Sequence, residues 1–575
     1  MADLAAVRDP VRLHVIYNAL TNIAAEMALV MKKTSYSTIF NEGLDFSTVL
    51  LDRHGSLIAE KNYTPSMMGA ITNTVRWTLE ELGADYFRPG DVVVHNDPYR
   101  GNCHIPEHML MKPVFLNGAL VAFTGAIGHL AEVGGKAPGS FASDATDVYQ
   151  EGLRLPPVKL VEGGAYNRDV WRIVMANHRT PQNSWGDLNA MIGALNVGEQ
   201  RLEWLFERRG AEEVLGAAQA LIEHSDRRLR AEISDLADGS WTADTVVEDD
   251  GVSTDPFRVA VRVTVRGGEV IVDFTGSDPQ VRGPMNCTYV VAASAAYNAV
   301  FSVVDPRSEV PRNSGCYRPV RVIAPAGSVV NVRHPGPSVG GNTDLQPKLI
   351  DLILKALAPA LPDRVAAASG GSSSNLLFGG VHPATGRYYS NYHFDGMGTG
   401  GTARKDGNNA ETTRHSNCRN TPVEVFEHRY PLLTLWYGLA PDSGGAGTHR
   451  GGLSTTRGLR IEADEITFSA LFDRCRIAPH GLFGGHSGGT AQLEVRCAGD
   501  AAFLPFDERF GVASPTKFTN VTLRRGDVVR YRTPGGGGFG DPADRDPERL
   551  AEDVREGYVT SEAAAREYGA EADGA

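Results

Sequence analysis

Residues 91–135 read DVVVHNDPYRGNCHIPEHMLMKPVFLNGALVAFTGAIGHLAEVGG, and the reading of the fold starts from them. The apolar run after Asp91 reads as a strand and the polar segment that follows as a loop. Two more strands flank Asn117-Gly118, a dipeptide that tolerates the positive φ angles of a tight hairpin. The loop carries Asp97, His104, Glu107 and His108, and His129 ends the last strand. Carboxylates and imidazoles at the mouth of apolar strands are the donors that a hard or borderline divalent cation takes. The alternative is a polar loop whose histidines are satisfied by ordinary hydrogen bonds.

Within this stretch, His104-Ile105-Pro106-Glu107-His108 matches the H-x-x-E-H pattern of inverted zinc peptidases. That chemistry needs both histidines on one helical face. Pro106 lacks the amide a helix interior requires, and the flanks DVVVH and MLMKPVFL look like strands. A loop ligand set of His104, Glu107 and the distant His129 fits the context better.

Upstream, Asp9-Pro10 supplies a helix cap and a first-turn proline, followed by Leu13, Ile16, Leu20, Ile23 and Met27 at helical spacing. Phe46 to Leu51 reads as a strand with a turn at Arg53-His54-Gly55, and Asp45 stands where that strand begins. A helix over about 70–82 ends at Gly83. Downstream, 136–164 is rich in loops, and helices follow Pro181 and Ala211. From Gly239 the period changes to two, with a hairpin at Gly267-Gly268, interrupted by amphipathic segments at 286–304 and 344–361. From about Val423, strands alternate with glycine-rich turns, then a polar C-terminal helix. The expected organisation is a mixed α/β (α+β) portion at 1–236 bearing the site, a β-rich middle at 237–422 and a β-rich C-terminal portion at 423–575.

A chain of 575 residues that is 42% hydrophobic supports several cores. No uninterrupted 18-residue apolar run predicts a membrane span, and no secretory signal is evident at the start. A net charge of −13 without a basic stripe argues against nucleic acid as a partner. Six cysteines, scattered with no CxxC, exclude a zinc ribbon or a dense disulfide framework and suit a reducing cytoplasm. Gly396, Gly398 and Gly401 form a GxGxxG match, but no convincing helix follows to hold a phosphate, and a Walker A sequence is absent. Gly535 to Gly538 read either as an anion-binding nest of amides or, preferably, as glycine packed against other backbone.

The segments NDPYRGNCHIPEH, GHLAEVGGKAPGS, YQEGLRLPPVKL, ANHRTPQNSWGDL, RNTPVEVFEHRYPL, DSGGAGTHRGGL and TPGGGGFGDP resemble the hydantoinase B/oxoprolinase family, in order from about Asp9 to Tyr568. The resemblance implies one subunit of an ATP-dependent enzyme, working in a hetero-oligomer with a hydantoinase A-type partner that binds ATP. It places a metal, zinc or manganese, on Asp45, His104, Glu107 and His129. Asp97 is the candidate base or water-orienting group. His108 shares that role or hydrogen-bonds the loop. The family's members imply a cyclic-amide (hydantoin or lactam) hydrolase, with a bicarbonate-using ketone carboxylase or a non-catalytic assembly subunit as alternatives.

Four positions depart from the family pattern: Glu107 and Glu132 stand where aspartates are usual, and Met67 and Leu130 where histidines are common. Met67 and Leu130 predict a more apolar substrate wall, suited to an apolar lactam or ketone rather than a hydantoin-like ring.

Overall fold

The computed structural model describes residues 9–570. Its centre is a seven-stranded sheet in the order β2-β1-β5-β4-β3-β6-β7. The strands are β1 (Phe46–Asp52), β2 (Leu57–Asn62), β3 (Val92–His95), β4 (Glu107–Leu116), β5 (Ala119–His129), β6 (Val158–Glu162) and β7 (Ala165–Tyr166). Every pairing in it is antiparallel. The β4–β5 hairpin turns at Asn117 (φ 51°) and Gly118 (φ 79°), as the dipeptide requires.

The helix Pro10–Thr34 starts where Asp9 accepts from the Val11 amide at 2.9 Å, with Pro10 in its first turn. By length and composition it would cross a bilayer. Its stripe of Ile16, Leu20, Ile23, Met27 and Met31 is buried, however, against the sheet and the helix Pro181–Arg209. That second helix buries Leu188, Ile192, Leu195 and Leu202, the spacing predicted for it.

Strands Gly239–Val247, Phe257–Arg266 and Glu269–Asp273 form a meander, extended by Val320–Ile323 in the only parallel pairing among the named strands. The segment expected to be amphipathic at 286–304 is instead buried nearly all round as the helix Tyr289–Val304. It lies between the helices Met68–Leu82 and Gln346–Leu357, and of its residues only Ser302 is exposed. One hydrophobic core runs through all these elements. A second, around Phe378, Phe468, Phe506, Phe518 and Tyr531, joins a four-stranded and a five-stranded sheet built from residues 375–532. The 423–429 segment begins this part as a short helix rather than a strand, and the chain closes on two short helices, Pro547–Arg555 and Ser561–Tyr568.

The two cores are tied by buried charges. Lys348 lies 2.8 Å and Lys517 2.6 Å from Asp473, and Lys517 also lies 3.1 Å from Asp249. The two lysines hold the Asp473 carboxyl far below its ordinary range even though burial alone would raise it.

The glycine clusters form one backbone-packed stack. The amides of Gly535, Gly536, Gly537 and Gly538 donate to Gly489, Gly452, Ala368 and His486 at 2.8–3.0 Å, and Gly398 donates to Pro534 at 3.1 Å. These amides are therefore committed to backbone, and the GxGxxG match is part of the same stack. A Cβ on Gly536 would stand 1.8 Å from the Thr399 carbonyl oxygen. Gly536→Ala should lower the thermal midpoint by about 1–3 °C, because it forces backbone apart at a cost of about 1–3 kcal/mol in a chain of this length. Gly438→Ala, where nothing lies within 4 Å of the added methyl, should leave it nearly unchanged. Thermal unfolding of the two variants measures the difference.

Candidate functional site

The register of the central sheet builds the site. Phe46 pairs with Gly128, so Asp45 falls beside His129, whose amide donates to the Asp45 carbonyl at 3.1 Å. Glu107 pairs directly with His129. Asp45, His129 and Glu107 thus form a row at the ends of three adjacent strands. His104 joins them from the turn entering β4, where the Glu107 amide donates to its carbonyl at 3.2 Å. His104 Nε2 is 3.5 Å from Glu107 Oε1, and His129 Nδ1 is 3.7 Å from Asp45 Oδ2. All four side chains are buried, and Asp45, at 8% relative exposure, is the most open.

Neighbours fix these side chains. The Thr64 hydroxyl donates to Asp45 Oδ1 at 3.2 Å, and the Asn342 amide donates to Glu107 Oε1 at 3.0 Å. The His129 ring stacks on Tyr392 (4.9 Å, 3°) and on Phe141 (5.6 Å, 11°), which sets its plane. Tyr392 is itself held by its hydroxyl donating to Asn375 at 2.8 Å. Burial, then the Glu107 charge, pushes the Asp45 carboxyl up to about 7. Burial, then His104 and His108, pushes His129 well below the usual imidazole range, so it is neutral.

A small cavity opens on this row, walled in part by Asp45, Glu107, His129, Asn342, Tyr392 and His415. Its remaining wall is rich in hydroxyls, among them Thr64, Ser66, Thr343 and Ser373. The apolar wall predicted from Met67 and Leu130 is not there. Both side chains are buried in the hydrophobic core and neither lines the cavity. Glu132 is likewise withdrawn, accepting from the Gly134 and Gly139 amides and pairing with Arg179 at 3.0 Å.

The donor atoms show whether the residues suit a metal. Both ring nitrogens of His104, Glu107 Oε2 and His129 Nε2 are buried without a hydrogen-bond partner. Two neutral imidazoles and two carboxylates are a donor set for zinc or manganese. Among the described residues no three such side chains are already closed around one point. The 3.5 and 3.7 Å gaps are nevertheless close to the about 3.4 Å between ligand atoms of a tetrahedral site with bonds of about 2.1 Å. The donors fit.

The structure does not bring Asp97 or His108 to the cavity wall. Asp97 caps the turn Pro98–Arg100, accepting from the Tyr99 amide at 3.0 Å, and lies 3.7 Å from Arg100 and 3.8 Å from Arg154. Its carboxylate organises the loop. His108 follows Glu107 on β4, and successive strand residues point to opposite faces. Its Nδ1 lies 3.1 Å from the Pro106 carbonyl, and its ring stands beside His178. The strand that begins at Glu107 also removes the helical H-x-x-E-H geometry. Asn342 and His415 join the site, although no motif in the sequence marks them. Asn342 sits in a π-helical turn, Gly341–Leu345, a distortion frequent at functional sites, and His415 in an irregular polar segment with no periodic signal.

Comparison with known proteins matches residues 9–542 to the family described as hydantoinase B/oxoprolinase. The chain is 33% identical to the B component of a putative D-/L-hydantoinase from Pseudomonas sp. strain NS671, over 98% of this chain and 95% of that one. It is 32% identical to the beta chain of caprolactamase from Pseudomonas jessenii, over 98% of this chain and 97% of that one. The crystal structure of ATP-dependent caprolactamase from that organism superposes with a TM-score of 0.90 at 30% identity, over 99% of this chain and 97% of the other. A nucleotide-free acetone carboxylase structure superposes with a TM-score of 0.87 over 98% of this chain and 80% of the other; at 20% identity the likeness is one of fold.

Removing one neutral nitrogen from a four-ligand site costs most of its affinity. His104→Ala and His129→Ala should each lose zinc or manganese in equilibrium dialysis with elemental analysis, with circular dichroism unchanged. His108→Ala, whose ring lies on the other face of β4, should keep it. Equal loss from His108→Ala would return the helical reading.

Proposed function

The chain belongs to the hydantoinase B/oxoprolinase family, and on that premise we propose that it is the metal-bearing hydrolytic subunit of an ATP-dependent cyclic-amide hydrolase. The observation that carries this is the buried row of Asp45, His129 and Glu107 with His104 behind it, beside a polar cavity and with unpartnered donor atoms. A zinc or manganese ion held by these four side chains would supply Lewis acidity toward a carbonyl oxygen or a water.

An unactivated amide resists water at neutral pH, so ATP is consumed to activate it. The phosphate chemistry belongs to a hydantoinase A-type partner. The present chain has no Walker A sequence, and its glycine-rich amides are already paired with backbone. Phosphorylating the amide oxygen makes the carbon imidate-like. Water adds to that carbon, and the ring C–N bond breaks to release the amine and leave an acyl phosphate. A second water hydrolyses the acyl phosphate to carboxylate and phosphate, giving the open-chain amino acid from a lactam or the N-carbamoyl amino acid from a hydantoin. The residues of this chain hold the site in shape for that step. Thr64 orients Asp45, Asn342 orients Glu107, and Phe141 and Tyr392 clamp His129. The hydroxyl-rich wall suits a ring with several hydrogen-bonding groups, as in a hydantoin, more than a purely apolar one. An ATP-consuming hetero-oligomer whose six cysteines are unpaired thiols fits a reducing, cytoplasmic compartment.

Three measurements test this reading. The purified chain alone should hydrolyse no ATP, whereas co-expression with an A-type partner should yield a hetero-oligomer by light scattering. That complex should open hydantoin or lactam rings in an ATP- and metal-dependent way without added bicarbonate. Bicarbonate-dependent carboxylation of acetone or acetophenone with no ring opening would overturn the hydrolase reading in favour of a ketone carboxylase.

A further inference from the structure

The segment Glu411–Cys418 has no helical structure and runs between two spaces. The internal cavity and an adjoining cleft of about 710 Å³ share Thr412, Thr413 and Ser416 as wall residues. The segment is nevertheless held firmly. Glu411 and Met397 exchange backbone hydrogen bonds at 2.7 and 2.8 Å. The Arg414 carbonyl accepts from the Asn298 amide at 2.9 Å, while its guanidinium donates to the Ala367 carbonyl at 3.0 Å and lies 3.1 Å from Asp351. Beyond it, the Arg419 amide donates to the Gly43 carbonyl at 3.0 Å.

His415 sits between these anchors, 3% exposed and on the cavity wall. Its Nδ1 is buried without a partner, and among the described residues no hydrogen bond reaches either ring nitrogen. Leaving a buried polar group unpaired is unfavourable, and a ligand entering the cavity would offset that cost. Burial, then His104 and Lys348, pushes this imidazole down to about 3, so it carries one N–H and one lone pair at neutral pH. Through Nδ1 such a ring can meet one hydrogen-bonding atom of a ring amide, its oxygen or its nitrogen.

We propose that His415 is a substrate-contacting residue, hydrogen-bonding the amide group of the ring and setting which face of its carbonyl carbon meets the Asp45–Glu107 side of the cavity. The assignment rests on the cyclic-amide reading of the site. It differs from a ligand role in that His415 holds the substrate and not the metal, and from a structural role in that the segment is anchored by Glu411, Arg414 and Arg419 without it.

The test uses the complex with its A-type partner and the variants His415→Ala and His415→Gly, with hydantoin and caprolactam as substrates. Metal content by elemental analysis and the thermal midpoint should stay at the wild-type values. The kcat/KM for ring opening should fall about 10- to 100-fold, and added imidazole should restore part of it in His415→Gly. Ligand-observed NMR on the isolated chain should show weaker binding of the same ring amides to His415→Ala. Unchanged kcat/KM, loss of metal along with activity, or a loss that imidazole does not relieve would overturn the assignment while leaving the hydrolase reading intact. A wild-type complex that opens no ring amide would overturn that reading, and the assignment with it.

Discussion

The antiparallel pairing of β1, β5 and β4 is the constraint on which the site depends. A strand has a side-chain period of two, so a one-residue slip in either pairing would send Asp45 or Glu107 to the other face of the sheet. The register is pinned at both ends. The Asn117-Gly118 turn fixes β4 against β5, and the His129 amide bonded to the Asp45 carbonyl fixes β5 against the start of β1. The burial of nearly all of β4 makes any slip costly, because it would drive polar groups into the core. The hairpin that organises the hydrophobic core therefore also sets the spacing of the polar row.

That row is unfavourable by itself. Two buried carboxylates and two buried imidazoles lack partners for several atoms, and Asp45 is pushed up to about 7 by burial and by Glu107. Two other buried charge clusters are treated differently. Asp473, Lys348, Lys517 and Asp249 neutralise one another within hydrogen-bonding distance, and Asp395 is paired with Arg457 at 3.0 Å. In those clusters the fold supplies the counter-charge; at the Asp45–Glu107 row it leaves donors open, the condition for taking up a cation.

Much of this is legible in the sequence because it rests on local signals. Asn-Gly marks the hairpin, Asp9-Pro10 the first helix, and the strand ends place Asp45, His104, Glu107 and His129 near one another. The failures share a cause: they concern the direction of a side chain or a contact made across the fold. Asp97 and His108 have the right chemistry, but a cap and the alternation of a strand turn them elsewhere. Met67 and Leu130 occupy positions suggestive of a wall and are core. Asn342 and His415 come from segments more than 200 residues beyond the hairpin, and nothing periodic announces them. The helix at 289–304, expected to be amphipathic, carries apolar and small residues on nearly every face, the composition of a helix packed on both sides.

Anomalous diffraction from crystals of the chain grown with zinc or manganese tests the donor row most directly. A single strong peak within bonding distance of Asp45, His104, Glu107 and His129, and none beside His108 and His178, is the predicted result. Full metal occupancy anywhere else, with this row still holding its unpaired nitrogens and oxygens, would contradict it.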